Sequence, residues 1–226
     1  MMTDNATIAM LEKHHGGAAF TQVMRDTALG RFDQGFWATW RQWIEPILSQ
    51  PPVIADFGCG PAMLLHLLRE KYPDAKLFGV EFAPYMIEAI DKNLCELVVH
   101  DLHQSQVAIA DHSLDAVISV HVLHELNQPL SNLREIRRCL KPGGRAIVMD
   151  WIRTPLADYL AAQQHDINSL NDNKLADVFT HFMEHNRYTQ EDMTWLLEQM
   201  GFQVLYEEIL QGERFGRWVV ELVSSK

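Results

Sequence analysis

The chain of 226 residues is 47% hydrophobic and 22% charged, with ordinary numbers of Gly (12) and Pro (9), which excludes a collagen-like, low-complexity or disordered polymer. Nineteen basic against 30 acidic groups leave a formal charge of −11, a field that repels phosphate backbones and anionic surfaces, so no nucleic-acid or membrane partner is expected. Cys59, Cys95 and Cys139 stand apart without a Cys-x-x-Cys, and neither a long apolar run nor a basic-then-apolar leader occurs, so a reducing, cytoplasmic setting is expected.

Residues 1–50 read as a helical N-terminal cover. Phe36, Trp37, Trp40, Ile44, Ile47 and Leu48 recur at helical spacing, Pro46 should kink or end that helix, and Gly16-Gly17 and Gly30 divide the stretch before it. From Pro51 strand and helix alternate. Val53–Phe57 is an apolar strand running into Gly58-Cys59-Gly60, followed by a helix with Met63, Leu64, Leu67 and Leu68 on one face. Lys76–Phe82, Cys95–Asp101 and Leu114–Val120 are the next strands. Pro129–Leu140 reads as a helix closed by Pro142-Gly143-Gly144, and Arg145–Asp150 as a fifth strand.

A polar, His- and Asn-rich helical insertion occupies residues 151–186. Residues 187–226 hold a last helix, with Thr189 and Asp192 placed as a capping box and Gly201 at its end, then two strands, Phe202–Leu210 and Arg217–Ser224. Gln211-Gly212-Glu213 between them favours a hairpin. The expectation is one α/β domain over 1–226: a Rossmann-like, doubly wound and mainly parallel sheet with its core at 51–150, closed by an antiparallel C-terminal hairpin, with the N-terminal helices and the insertion as a lid.

Asp56-Phe57-Gly58-Cys59-Gly60-Pro61-Ala62 leaves a strand and enters a helix, so small residues let the backbone approach a ligand at the carboxyl edge of the sheet. Glu81 ends the next strand, where a carboxylate can accept from ribose hydroxyls; Asp101 ends the third, and Val120-His121 the fourth. A pyrophosphate dinucleotide would want a glycine where Met63 stands, and Asp56 would repel its phosphates. S-adenosylmethionine carries an ammonium, a sulfonium and a ribose but no phosphate. Asp56 can help hold the ammonium through water, Glu81 the ribose, and Asp101 the adenine amino group.

These residues, with Gly79-Val80-Glu81-Phe82, Asp101-Leu102, Leu114–Ser119, Val122-Leu123-His124-Glu125-Leu126 and Leu140–Arg145, make the chain resemble a class I S-adenosylmethionine-dependent methyltransferase of the small-molecule type. Ala62 stands where that family usually has a third glycine. The resemblance implies that Phe82 packs on adenine, that Leu102 offers its amide to the ring, and that the Val120-His121 backbone faces the methionine moiety. It implies methyl transfer by in-line displacement to N, O, S or C of a small-molecule acceptor. A nicotinamide oxidoreductase and a non-catalytic binding module remain the alternatives.

A base is required only for an acceptor protonated at working pH, and His121 and His124 are the candidates, with Glu125 and Asp150 as orienters or alternatives. Trp37 and Trp40 in the aromatic stripe, and Asp150-Trp151 after the fifth strand, are the candidate acceptor-facing residues. The excess of acids in residues 151–226, partly in the lid, favours a neutral or cationic acceptor. His181-Phe182-Met183-Glu184-His185 has zinc-peptidase spacing but lacks a third ligand, so a solvated helix face is expected and no metal site, with a substrate-pocket role for one of the histidines as the alternative.

Overall fold

The computed structural model describes residues 7–9, 11–12, 16–162, 171–210 and 214–223. Seven strands form one sheet in the order β3-β2-β1-β4-β5-β7-β6. They are β1 Val53–Phe57, β2 Lys76–Glu81, β3 Glu96–Val99, β4 Leu114–Val120, β5 Leu140–Trp151, β6 Phe202–Ile209 and β7 Phe215–Leu222. The first five run parallel, and β7 inserts antiparallel between β5 and β6. Chain order reverses direction between β1 and β4, which opens a crevice beyond their carboxyl ends.

Central strands are apolar on both faces because helices cover both. Ala55, Phe57, Val117, Val148 and Trp218 pack one way, against Leu133 and Ile136 of α6 (Leu130–Cys139) and Met193 and Leu197 of α9 (Gln190–Gln199). Ile54, Ala116, Ile118, Ile147 and Val219 pack the other way, against Leu64, Leu65 and Leu68 of α4 (Met63–Lys71) and the N-terminal aromatics Phe36 and Trp40. Asp115 pins the amino end of the sheet: its carboxylate accepts from Ser49 Oγ, the Val53 amide and Lys141 Nζ.

The N-terminal cover is built from α1 (Ala18–Asp26), α2 (Ala28–Arg31) and α3 (Gln34–Thr39), with residues 7–9 and 11–12 also helical. Asp33 caps α3 by accepting from the Phe36 amide, 2.9 Å away. The helix then loosens to a π turn over Trp40–Ile44 and tightens to a 3-10 turn at Glu45–Ile47, where Pro46 ends it as expected. Gly30 makes no break, since it lies inside α2. The insertion is helical, as α7 (Leu156–Ala162) and α8 (Asp172–His185). The Thr189–Asp192 capping box is present in both directions, at 2.9 and 3.1 Å, and Gly201 follows with φ of 83°.

Three boundaries move. β5 starts at Leu140, not Arg145: Pro142-Gly143-Gly144 does not close the helix but forms an irregular lead-in, with the β4 register shifting between Leu114 and Ala116. β7 covers Phe215–Leu222 in place of 217–224, and β3 is shorter than expected. The turn residues Gln211-Gly212-Glu213 fall outside the described residues, while Ile209 opposite Gly216 attests the hairpin. Among the described residues no helix is long and apolar enough to cross a membrane.

Candidate active site

A cavity of about 670 Å³ opens at the carboxyl ends of β1, β2 and β4. Its floor is the glycine loop. Gly58 has φ of 77°, and a Cβ there would lie 2.3 Å from Val122 Cγ2, so the β1 and β4 ends touch only because residue 58 lacks a side chain. The Gly58 and Cys59 amides both donate to Val80 O, at 2.8 and 3.0 Å. Glu81 completes the loop: Oε2 accepts from the Gly60 amide at 2.8 Å, and Oε1 from the Phe82 and Ala83 amides at 2.7 and 2.8 Å. One carboxylate thus holds the ends of β1 and β2 in register with each other.

The other strand-end acids lie close by. Asp101 lines the cavity, accepting from Thr7 Oγ1 at 2.9 Å and from the His103 amide and ring at 3.0 and 2.8 Å. Burial alone would raise its pKa, but the bonds from His103 and Thr7 outweigh that and hold it at about 2. Asp56 lies just beneath the wall, fully enclosed. Its carboxyl is pushed up to about 7, first by burial and then by Glu81, with Arg31 opposing. Cys59 is also behind the wall, its thiol raised chiefly by burial, as a small buried apolar group. Gly58, Gly60, Glu81, Phe82, Asp101, Leu102, Val120 and His121 all line the cavity.

Across the cavity, the two histidines part company. His124 is enclosed between carboxylates, with Nδ1 2.7 Å from Asp150 Oδ1 and Nε2 3.2 Å from Glu125 Oε1. Burial would lower its pKa, but Asp150 and Glu125 overcome this and push it up to about 9. An imidazolium with both nitrogens engaged is poorly placed to take a proton, which counts against His124 as a base. Asp150 does not itself line the cavity. It is held below the usual carboxylate range by His124 against the cost of burial, and it also accepts from the Val122, Leu123 and Trp151 amides at 3.0, 2.6 and 2.8 Å.

His121 is the opposite case. Burial lowers its pKa to about 3, leaving a neutral ring that stacks on Phe215 and lines the cavity. Its backbone has φ of 57°, an uncommon conformation for a residue with a Cβ, while its amide donates to Met149 O at 2.8 Å. Among the described residues its ring nitrogens make no hydrogen bond.

Trp37 and Trp40 do not reach the cavity. Trp40 is wholly buried, its indole N–H donating to Tyr72 Oη at 2.9 Å, and Trp37 packs edge-on against it. The N-terminal cover instead presents Thr7, Phe20, Val23, Met24, Arg31 and Asp33, and the C-terminal part presents Trp151, His181, Leu210, Phe215 and Arg217. Arg31 and Arg217 escape a motif-based reading because an isolated arginine has no spacing signature. The signal available for Arg217 was its place in β7, two residues from Phe215 on an inward face. His181 is hydrogen-bonded to the Tyr159 hydroxyl, and the side chain of His185 falls outside those described. Among the described residues no cluster of metal-ligating side chains occurs.

A family profile described as a methyltransferase domain matches residues 29–207. Among curated relatives, malonyl-[acyl-carrier protein] O-methyltransferase of Hahella chejuensis is 38% identical over 101 residues, covering 43% of this chain and 36% of that protein. Ubiquinone/menaquinone biosynthesis C-methyltransferase UbiE of Desulfotalea psychrophila is 26% identical over 147 residues, covering 57% of each. The chain therefore spans roughly a third to just over half of their lengths. Among solved structures, a complex of the Haloferax volcanii Trm112 methyltransferase activator with a putative methyltransferase superposes with a TM-score of 0.64 at 16% identity, over 92% of this chain and 97% of that one. Geranyl diphosphate C-methyltransferase of Streptomyces coelicolor gives 0.62 at 11% identity, over 86% and 81%. At these identities the superpositions attest the fold.

Proposed function

The chain belongs to the methyltransferase-domain family, and on that footing we propose that it transfers the methyl group of S-adenosylmethionine to a small-molecule acceptor. The observation that carries the reading is the pair of carboxylates, Glu81 and Asp101, that line the cavity beside the glycine loop, with Asp56 buried beneath the wall. That charge suits a cationic ligand and opposes a pyrophosphate.

The residues present fit such a ligand. Gly58 and Gly60 leave backbone, not side chain, at the cavity floor. Glu81 keeps lone pairs for the ribose hydroxyls, Phe82 and Leu102 flank the place of the adenine, and Asp101 takes its amino group. Arg31 adds a group the motifs do not contain. Its guanidinium donates to Met24 O and Thr27 Oγ1, and among the described residues no carboxylate lies in ion-pair range of it. Standing close enough to Asp56 to oppose its upward pKa shift, it matches an amino-acid carboxylate whose ammonium turns toward Asp56.

When bound, S-adenosylmethionine supplies an electrophilic methyl carbon. The chain's own part is to orient the acceptor and exclude water. His121, neutral and lining the cavity, accepts a hydrogen bond from an acceptor N–H or O–H and aims its lone pair. His124 acts through the loop it holds: with Asp150 it fixes the amides of residues 122 and 123 and so the position of the His121 ring. Calorimetric titration with S-adenosylmethionine and S-adenosylhomocysteine tests the reading. Both should bind in the micromolar range, and NADH should not; binding of neither sulfur compound would refute it.

A further inference from the structure

The acceptor half of the cavity has a charge of its own. Residues 151–226 are rich in acids, and on sequence grounds this favours a neutral or cationic acceptor. The structure turns those acids elsewhere: among the described residues of that segment, the cavity receives Trp151, His181, Leu210, Phe215 and Arg217, one cation and no carboxylate.

We propose that the acceptor carries a carboxylate, received by Arg217 at the wall formed by Phe215 and His121; this rests on the methyltransferase reading above. Arg217 is 2% exposed, so its charge is not a solvated surface feature. It and Phe215 sit two apart on β7 and therefore face the same side. Its Nη1 donates to Thr39 Oγ1 at 3.0 Å and to Glu208 Oε1 at 2.8 Å, but its Nε is buried without any partner. That Nε is closed off from the cavity, so a ligand meets the guanidinium on the remaining edge by which Arg217 lines the wall. Guanidinium pairs best with a planar, singly charged group through two parallel bonds, which is the geometry of a carboxylate.

Neighbouring charges narrow the choice further. A Cβ on Gly35 would lie 3.3 Å from Asp33 Oδ1 and 3.8 Å from Arg217 Nη1, so Asp33 stands beside the arginine. It disfavours a doubly charged phosphate more than a carboxylate. The body attached to that carboxylate is apolar and flat-sided, since Phe20, Val23 and Met24 line the same cavity as the His121–Phe215 stack.

The experiment compares acids with their uncharged amides: phenylacetate with phenylacetamide, indole-3-acetate with indole-3-acetamide, hexanoate with hexanamide. Each is titrated calorimetrically into the protein with and without saturating S-adenosylhomocysteine. At least one acid should bind about tenfold more tightly than its amide. Arg217→Gln should erase that preference without changing the affinity for S-adenosylhomocysteine, and Arg217→Lys should keep part of it. Because Arg217 also ties α3 to the hairpin, Glu208→Gln is the companion variant. It leaves the cation and removes its counter-charge, so the acid preference should rise, which a purely structural arginine would not produce. No acid binding more tightly than its amide, or a preference surviving in Arg217→Gln, overturns the proposal. Failure of S-adenosylhomocysteine to bind refutes instead the cofactor reading on which it rests.

Discussion

The His121 ring lies nearly parallel to that of Phe215, with centroids 4.9 Å apart and planes 13° from each other. This stack joins the end of β4 to the first residue of β7 and keeps a neutral imidazole beside the cavity. Its neighbour His124, with ring centroids 6.3 Å away, is in the opposite state because carboxylates flank it. Titration of isotope-labelled histidines by NMR should show His121 neutral until the pH falls toward about 3, and His124 charged until it rises toward about 9. Equal midpoints near the ordinary histidine value would contradict the division of roles.

The His124–Asp150 pair makes stability depend on pH in a defined direction. For His124 the folded value lies above its ordinary 6.5, so its contribution is full below that pH and is lost as the pH rises through about 9. For Asp150 the folded value lies below its ordinary 3.8, so its contribution is present above that pH and is lost on further acidification. In urea unfolding, the stability gap between the native chain and His124→Gln should be widest between these ordinary values and narrow toward pH 9. Asp150→Asn should cost about 3–5 kcal/mol near neutrality, because it leaves His124 with Glu125 alone and weakens the acceptor of the Val122, Leu123 and Trp151 amides.

Glu81→Ala removes the acceptor of the Gly60, Phe82 and Ala83 amides and, in the proposed reading, the ribose partner as well. S-adenosylhomocysteine affinity should fall by about 100-fold in calorimetry, with Glu81→Gln losing less. An unchanged affinity would show that the ribose is held elsewhere.

Gly58→Ala meets two obstacles, a backbone with φ of 77° and the Val122 methyl 2.3 Å from the new Cβ. A double-mutant cycle separates them. Combined with Val122→Ala, the substitution should cost only the backbone part, about 1–2 kcal/mol, and alone it should cost about 1–3 kcal/mol more. Additive costs would mean that the β1 and β4 ends adjust to each other.

Sequence patterning located the strands because strand-length apolar runs such as Val53–Phe57 and Leu114–Val120 can be buried on both faces only in the middle of a covered sheet. It also brought Glu81 and Asp101 to one edge of the sheet, and both line the cavity, although β3 itself stops at Val99. It misplaced Trp40, because helical periodicity shows which residues share a face but not what that face meets; here it is Tyr72 and the core, not the cavity. It set the start of β5 late, because Pro142-Gly143-Gly144 has the composition of a turn while the pairing of Leu114 with Leu140 draws the strand back past it. The His121–His124 difference was also out of reach, since it depends on Asp150 and Phe215, which approach from β5 and β7.

Arg217 reaches Thr39 across 178 residues of chain. Without the hairpin, the β5 edge from Arg145 to Trp151 would be bare. The hairpin then covers that edge and delivers Phe215 and Arg217 in the same step. In the proposed reading, the strands that would hold the cofactor thus precede in the chain the arginine that would select the acceptor, and that arginine reaches the cavity only when residue 217 joins the sheet.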